Sequence, residues 1–471
     1  MATSLYQQHP AVSNSRIPES SNFTSQNRAY SVAAAQIQTH ESPRIPRHHS
    51  PAARPKLQQL QSSPLPPKPP PKTTHRTAEA RNPIDTLQPQ LQQIRSNLFT
   101  LLGTAHPSLN DLLHTSNYFS LTNQKKMLRV LVVLLWAKAV NGRSAGWDAK
   151  LRESELNGGE ALTCAGVLND TNPNTPDHRA SFEGVFALRT PHKGASEFGT
   201  GAYVEVEENG GILPTQLRLA QIIEMIHTAG GLHDMVSSTT TPSTDSDASL
   251  YNKLSILGGD FLLGRASHAL SRLGEPEVIE LIASVISNRV EGEMWGMEDL
   301  TSTPSTFSSP ETAWSLYMRK IYLSAACLFA KGARGSVVLA GCKEGAQEGL
   351  WREAAYVFGR SFGTASELLK HLSDYESITL SNPPPLTAPV LFTWETHLDV
   401  VGPMISRGFS GEGDVEEIHD LVRTSDALDR TRDLIRSYAD QARQALDYLP
   451  ENTEGRAGLE VLVHNLMRRV G

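Results

Sequence analysis

Cysteine is scarce in this chain: Cys164, Cys327 and Cys342 are the only three among 471 residues, and none belongs to a CxxC pair. An odd number without paired spacing argues against a disulfide framework and a zinc site; a reducing compartment fits. Long hydrophobic runs are missing too. The longest, Val130 to Val140, contains Lys138 and falls short of the roughly 18 residues needed to span a bilayer, so it reads as a buried helix. There is no GxSxG, HExxH or P-loop, and no alternation of period two that would mark strands. The loop Ser410 to Asp414 has spaced glycines but is acidic, which makes it a poor phosphate cradle. The sixteen histidines are scattered, about a third of them in the first 85 residues, against a metal cluster.

Acidic residues are rare at the N-terminal end. Between Met1 and Arg81 ten Lys/Arg stand against Glu19, Glu41 and Glu79, a net charge of +7, so the remainder carries −14 of a total of −7. A body this acidic gives no electrostatic reason to expect nucleic-acid binding. Residues 1–85 are also poor in large apolar side chains and rich in Ser, Pro, Gln, His and Arg, so they are expected to be disordered. Two readings of this head stand side by side: an organelle transit peptide, which would place the protein in mitochondria, and a plain disordered tail, which leaves it cytoplasmic. Pro10, Pro18, Pro43 and Pro46 interrupt any long amphipathic helix there. The run Pro64 to Lys72 favours polyproline II, as a stiff linker or an SH3-type ligand.

From residue 86 to 471 helix patterns dominate. Leu87, Leu91, Ile94, Leu98 and Leu101 recur at spacings of three and four, as do Leu213, Leu217, Ala220, Ile223 and Ile226, and then Val278, Leu281, Ile282 and Val285. Thr424 to Leu449 reads as one long amphipathic helix stopped by Pro450. Irregular stretches fall near 142–212, 236–250, 299–310 and 376–388, the first long, rich in Gly and Asn, and expected to be a surface insertion. The expected fold class is therefore all-α.

Several segments together resemble the trans-polyprenyl diphosphate synthases, in particular those that build the isoprenoid tail of ubiquinone. They are Ile212 to Asp234, Lys253 to Ala266, Val290-Glu-Gly-Glu293, Tyr317 to Tyr322, Ala355 to Arg360, Ala388 to Trp394, Gly413-Asp-Val415 and Arg430-Thr-Arg432. Their order is the family's order, from about residue 90 to 471. The resemblance implies an isoprenoid synthase-type helical bundle around a central cavity. It also implies Mg²⁺-dependent elongation of an allylic diphosphate by isopentenyl diphosphate, in which metal stabilises the departing diphosphate. The family holds that metal on DDxxD motifs of two facing helices, since carboxylates at i and i+4 share a helical face.

Here both motifs are degenerate. The first reads Asp234-Met-Val-Ser-Ser238, followed by Ser/Thr-rich sequence with Asp245 and Asp247 where the family has an arginine pair; the second reads Lys370-His-Leu-Ser-Asp374. Asp234 and Asp374 are the residual metal-ligand candidates. Glu367 replaces an upstream glutamine, Ser324-Ala325 replaces a Lys-Thr pair, and the loop after Tyr375 is shortened. The isopentenyl diphosphate half keeps more. By resemblance, Lys126 and Arg129 within Lys125 to Val130, with His227, would bind that diphosphate; a solvated cationic turn and a hydrogen-bonded core histidine are the plain alternatives. Ala229 and Gly230 lie where bulky residues would block the cavity floor, which implies either an open floor or close helix packing.

Three functions follow from this pattern. One is a catalytically impaired subunit, in a homodimer or in a heteromer with an active polyprenyl diphosphate synthase, with Glu293 to Met297 and Gly264 to Leu270 as interface pieces. Another is an active prenyltransferase using Mg²⁺, with Asp234, Asp245, Asp247 and Asp374 rebuilding a site that Lys370 would oppose. The third is a stand-alone pseudoenzyme binding isoprenyl diphosphates.

Overall fold

The structure, a computed structural model, describes residues 83–105, 108–109, 127–156, 211–236, 246–301, 309–377 and 385–471. The basic head to residue 82, Lys125, Lys126, Cys164, most of the 142–212 stretch and Asp245 lie outside the described residues. Among the described residues every element is helical and there is no strand, as the sequence periodicity requires.

A single turn, Pro83–Thr86, precedes α1 (Gln88–Ala105), whose Leu91, Ile94, Leu98 and Leu101 are buried at the predicted spacing. Then come α2 (Leu128–Val140), α3 (Trp147–Leu156), α4 (Pro214–Asp234), α5 (Ser246–Ser271) and α6 (Pro276–Thr301). The chain continues through α7 (Pro310–Ile321), a π-helical turn at Tyr322–Ala326, and α8 (Cys327–Leu339) without leaving the helical path. The long α9 (Ala346–Ser377) follows, and α10 (Ala388–Thr396), α11 (Leu398–Ser406), α12 (Asp414–Thr424), α13 (Ala427–Ala445) and α14 (Glu454–Val470) complete the order.

Three of these helices are apolar almost all round, which is the pattern of a helix surrounded by others. In α2 every residue from Val130 to Val140 except Lys138 is buried, and Lys138 reaches out to pair with Glu454 of α14 at 2.9 Å. In α8 only Arg334 escapes burial, and α8 packs against α2, α4, α6 and α9. In α4 the buried stretch runs from Gln216 to Leu232 with His227 its one partly accessible member. Burying these helices requires pairing their polar groups. Gln216 accepts from the Leu213 amide at 2.9 Å and from Asn141 at 2.8 Å, and donates to the Ser336 carbonyl at 3.1 Å, tying α4 to α2 and α8. Aromatic rings fill the seam of α2, α8 and α9: Phe358 stacks on Phe362 with centroids 5.6 Å apart, and Trp136 and Phe329 meet them edge-on.

One expectation changes and two are sharpened. The irregular stretch after residue 142 opens with the ten-residue helix α3. The helix expected over Thr424 to Leu449 is α13, and it starts three residues later: Thr424 closes α12, Ser425 is extended at φ −89° and ψ 176°, α13 runs from Ala427 to Ala445, and a 3₁₀ turn at Leu446–Tyr448 leads to the stop at Pro450. The Ser410 to Asp414 loop is a structural turn. The buried Asp414 carboxylate is paired with Arg407 and accepts from the Gly411 amide at 2.9 Å, while Gly413 supplies the left-handed φ of 83°.

Candidate functional site

Of the sequence-predicted residues, Arg129, His227 and Asp234 lie along one side of α4, Asp374 is on α9, and Lys126 is outside the described residues. Arg129 lies in the first turn of α2, and its Nη1 donates to Nε2 of His227 at 3.1 Å. Its guanidinium also lies 4.9 Å from the Phe329 ring centroid of α8, a cation–π contact. Burial, and then the positive charges of Arg129, Arg289 and Lys370, hold the His227 imidazole well below its usual range. The ring is therefore neutral, with Nε2 as acceptor and the proton on Nδ1. Three residues earlier on α4, the buried Glu224 has no hydrogen-bond partner for Oε2 among the described residues. Burial pushes its carboxyl up to about 7, only partly offset by Arg129.

Asp234 is the last residue of α4 and is half exposed. Its carboxylate accepts from Nη2 of Arg289, on α6, at 3.1 Å. The same guanidinium donates through Nη1 to the Ser324 carbonyl at 3.2 Å. Ser324 belongs to the π-helical turn between α7 and α8, a feature that often marks specialised sites. Arg289 reaches both partners by lying directly across Gly230: a Cβ at that position would collide with its Nε and Cζ atoms. The space beside Gly230 is thus filled by Arg289, and the Ala229 carbonyl packs against Gly259 of α5, which favours close helix packing over an open floor.

Opposite, on α9, Glu367, Lys370, His371 and Asp374 share a face. Glu367 pairs with Lys370 at 3.1 Å and with His371 at 3.4 Å, and Nδ1 of His371 bonds the Tyr317 hydroxyl at 3.0 Å. Burial pushes Glu367 up, but the His371 hydrogen bond and the charges of Lys370 and His371 outweigh it and hold the carboxyl at about 2. Asp374 is exposed, with no ion pair among the described residues. Asp247 lies in the first turn of α5.

The Polyprenyl synthetase family model matches residues 202–378, the stretch from just before α4 to the end of α9. The "Probable hexaprenyl pyrophosphate synthase, mitochondrial" of Yarrowia lipolytica is 34% identical over 401 residues, covering 83% of this chain and 85% of its own length. The chain belongs to the polyprenyl synthetase family. The "Hexaprenyl pyrophosphate synthase, mitochondrial" of Saccharomyces cerevisiae is 32% identical over 451 residues, covering 82% of this chain and 90% of its own. Among solved structures, a decaprenyl diphosphate synthase from Rhodobacter capsulatus matches with a TM-score of 0.54 at 20% identity, over 83% of this chain and 98% of its own, so the fold is shared.

Within this polyprenyl synthetase fold the described residues do not fit the magnesium that the resemblance implies. Among the described residues no three His, Cys, Asp or Glu side chains converge as a metal-holding group. Asp234 is already held by a guanidinium, and Lys370 places an ammonium on the face that carries Asp374. Lone or cation-paired carboxylates cannot supply the several oxygen ligands a hard divalent ion takes.

Sequence reasoning missed Arg289, Glu224 and the π turn. The signal for Arg289 was Gly230-Gly231 inside an otherwise strong helix, a pair that lowers helix propensity and marks close approach. The Gly230–Arg289 fit is testable. Gly230→Ala is expected to destabilise the protein by about 1–3 kcal/mol by expelling the guanidinium. The double variant Gly230→Ala/Arg289→Leu should show strong coupling, regaining part of that loss, in urea denaturation of the wild type, both singles and the double. Additive costs would mean that the two residues do not share space.

Proposed function

We propose that this chain is a polyprenyl diphosphate synthase-like protein of isoprenoid biosynthesis, of the mitochondrial ubiquinone side-chain type, acting as a catalytically impaired subunit beside an active homologue. The observation that carries this reading is the Asp234–Arg289 ion pair: the surviving carboxylate of the first motif is neutralised by a cation from the neighbouring helix. With Lys370 on the facing helix, the site offers positive charge where the reaction needs anionic ligands for metal. The two hexaprenyl synthases compared above are mitochondrial by name, and the basic, acid-poor head agrees with that location.

Loss of the site leaves the packing surfaces intact, because they depend on apolar shape. Leu250, Tyr251 and Leu257 on α5 and Met294 on α6, two helices in contact, are each more than half exposed. Clustered exposed apolar residues mark association sites, and Gly264 on α5 faces open space. The partner proposed for this surface is a second polyprenyl synthetase chain with both DDxxD motifs complete.

The experiment is co-expression of the full chain with such a homologue, followed by elongation assays with isopentenyl diphosphate, farnesyl diphosphate and Mg²⁺. The chain alone is expected to make no polyprenyl product, to co-purify with the homologue, and to alter its yield or product length. Elongation by the isolated chain would establish the active prenyltransferase instead. A homologue that neither binds the chain nor changes its output would remove the subunit reading.

A further inference from the structure

The positive groups around α4 outnumber the negative ones. Arg129 stands at His227, and Arg289 crosses one turn further along at Gly230 and reaches Asp234. Their fields, with that of Lys370, converge on His227; those of Lys331, Arg289 and Arg129 converge on Cys327, one turn beyond Ser324 on the adjoining helix. Lys331 is buried between α8 and α6, where it donates to Ser284 at 2.7 Å and faces the Asn288 side-chain oxygen at 2.8 Å, with no carboxylate in its ion-pair range among the described residues. The opposing carboxyls are Asp234, paired with Arg289; Glu367, paired with Lys370 and His371; Asp374, exposed on the Lys370 face of α9; and Glu224, buried and proton-retaining. Four cations therefore face three carboxylates, two of them already paired, and one carboxyl that stays protonated in part near neutrality.

We propose that Arg289 stands in for the divalent ion, so that this region binds the diphosphate group of an isoprenyl diphosphate directly on guanidinium and ammonium groups, without metal. The inference rests on the family reading above and deepens it by naming the ligand. A guanidinium has five N–H donors in a fixed fork. Arg289 spends one on Asp234 and one on Ser324, and its Nε packs against Gly230, which leaves one hydrogen on each terminal nitrogen for phosphate oxygens. Arginine matches phosphate bidentately, and a low-dielectric setting strengthens each such bond. The Gly230 gap and the Ser324 carbonyl hold the fork in one orientation before any ligand arrives, so little of its side-chain entropy remains to be lost. Lys370, exposed on α9 and paired with Glu367, supplies a second positive charge whose field reaches His227.

The test is calorimetric titration of the isolated full chain with farnesyl diphosphate in EDTA and again in millimolar Mg²⁺. The expected result is binding of equal affinity in both. Inorganic diphosphate is expected to compete with it in EDTA, which places the headgroup rather than the lipid at the cationic site. Arg289→Leu is expected to weaken binding by about ten- to a hundredfold, the usual worth of a charged hydrogen bond. Arg289→Lys should fall between the two, and thermal midpoints of both variants report whether they fold. Because the wild-type comparison needs no variant, a misfolded Arg289→Leu leaves the test intact. Binding that requires Mg²⁺, no binding in EDTA, no competition by inorganic diphosphate, or unchanged affinity in a folded Arg289→Leu would each overturn the proposal. None of these outcomes depends on whether a partner synthase is captured.

Discussion

Glu224→Gln is expected to raise stability at pH 8 by on the order of 3 kcal/mol and to leave stability at pH 4 nearly unchanged, read as urea midpoints at the two pH values. The carboxyl is buried in the middle of α4, Oε2 has no hydrogen-bond partner among the described residues, and burial pushes it up to about 7 from an ordinary 4.5. The folded state thus holds a proton that the unfolded chain releases. Stability is full below the unfolded value, falls as pH rises through the window from about 4.5 to about 7, and stays low above it. Glutamine keeps the shape of the protonated acid and carries no charge to bury, so the substitution removes the penalty only where the wild type is ionised. The neighbouring cation is Arg129, whose attraction offsets part of the burial cost. If the variant were less stable at pH 8, Glu224 would be acting as an ion-pair partner of Arg129, and burial would not be its dominant environment.

Gly359→Ala is expected to cost about 3 kcal/mol, while the same substitution at Gly349 on the same helix gains up to about 1 kcal/mol. At Gly359 an added Cβ would lie 2.6 Å from the Phe329 carbonyl carbon and 2.7 Å from the Ala330 Cα. Both are backbone atoms of α8, which is itself enclosed by α2, α4 and α6, so neither helix can retreat without opening the aromatic seam. At Gly349 the nearest atoms stand at 3.8 Å and more, so alanine there only removes the entropy penalty of glycine in a helix. Guanidinium denaturation of the two single variants measures the contrast. Equal effects at both sites would mean that α8 and α9 are not in rigid contact.

The helical character of the chain was open to reading because burial in a helix leaves a one-dimensional trace: Leu91, Ile94, Leu98 and Leu101 repeat every three or four residues and all are buried. Order along the chain sufficed for the family, since Asp234, Lys253 to Ala266 and Val290 to Glu293 keep their separations whatever the fold does. The loss of carboxylates at Met235, Ser238, Lys370 and His371 is likewise a matter of composition. The start of α13 at Ala427 rather than Thr424 was not legible, because Ser425 and Asp426 separate it from α12 without a proline or glycine to mark the break. Gly230 illustrates the same limit: smallness was visible, but not what uses the space.

The sequence by itself determined that this is an all-helical polyprenyl synthetase chain with too few acidic residues at its two motifs. Only the tertiary structure decided what became of those that remain. Arg289 and Asp234 are 55 positions apart, and their pairing depends on α6 crossing α4 where Gly230 leaves room. Glu367 stays ionised and Glu224 holds its proton until about pH 7 because of what surrounds them, and surroundings assembled from distant segments leave no local pattern. A carboxylate's partner, and therefore its charge and its fitness to hold a metal, is a property of the packed bundle.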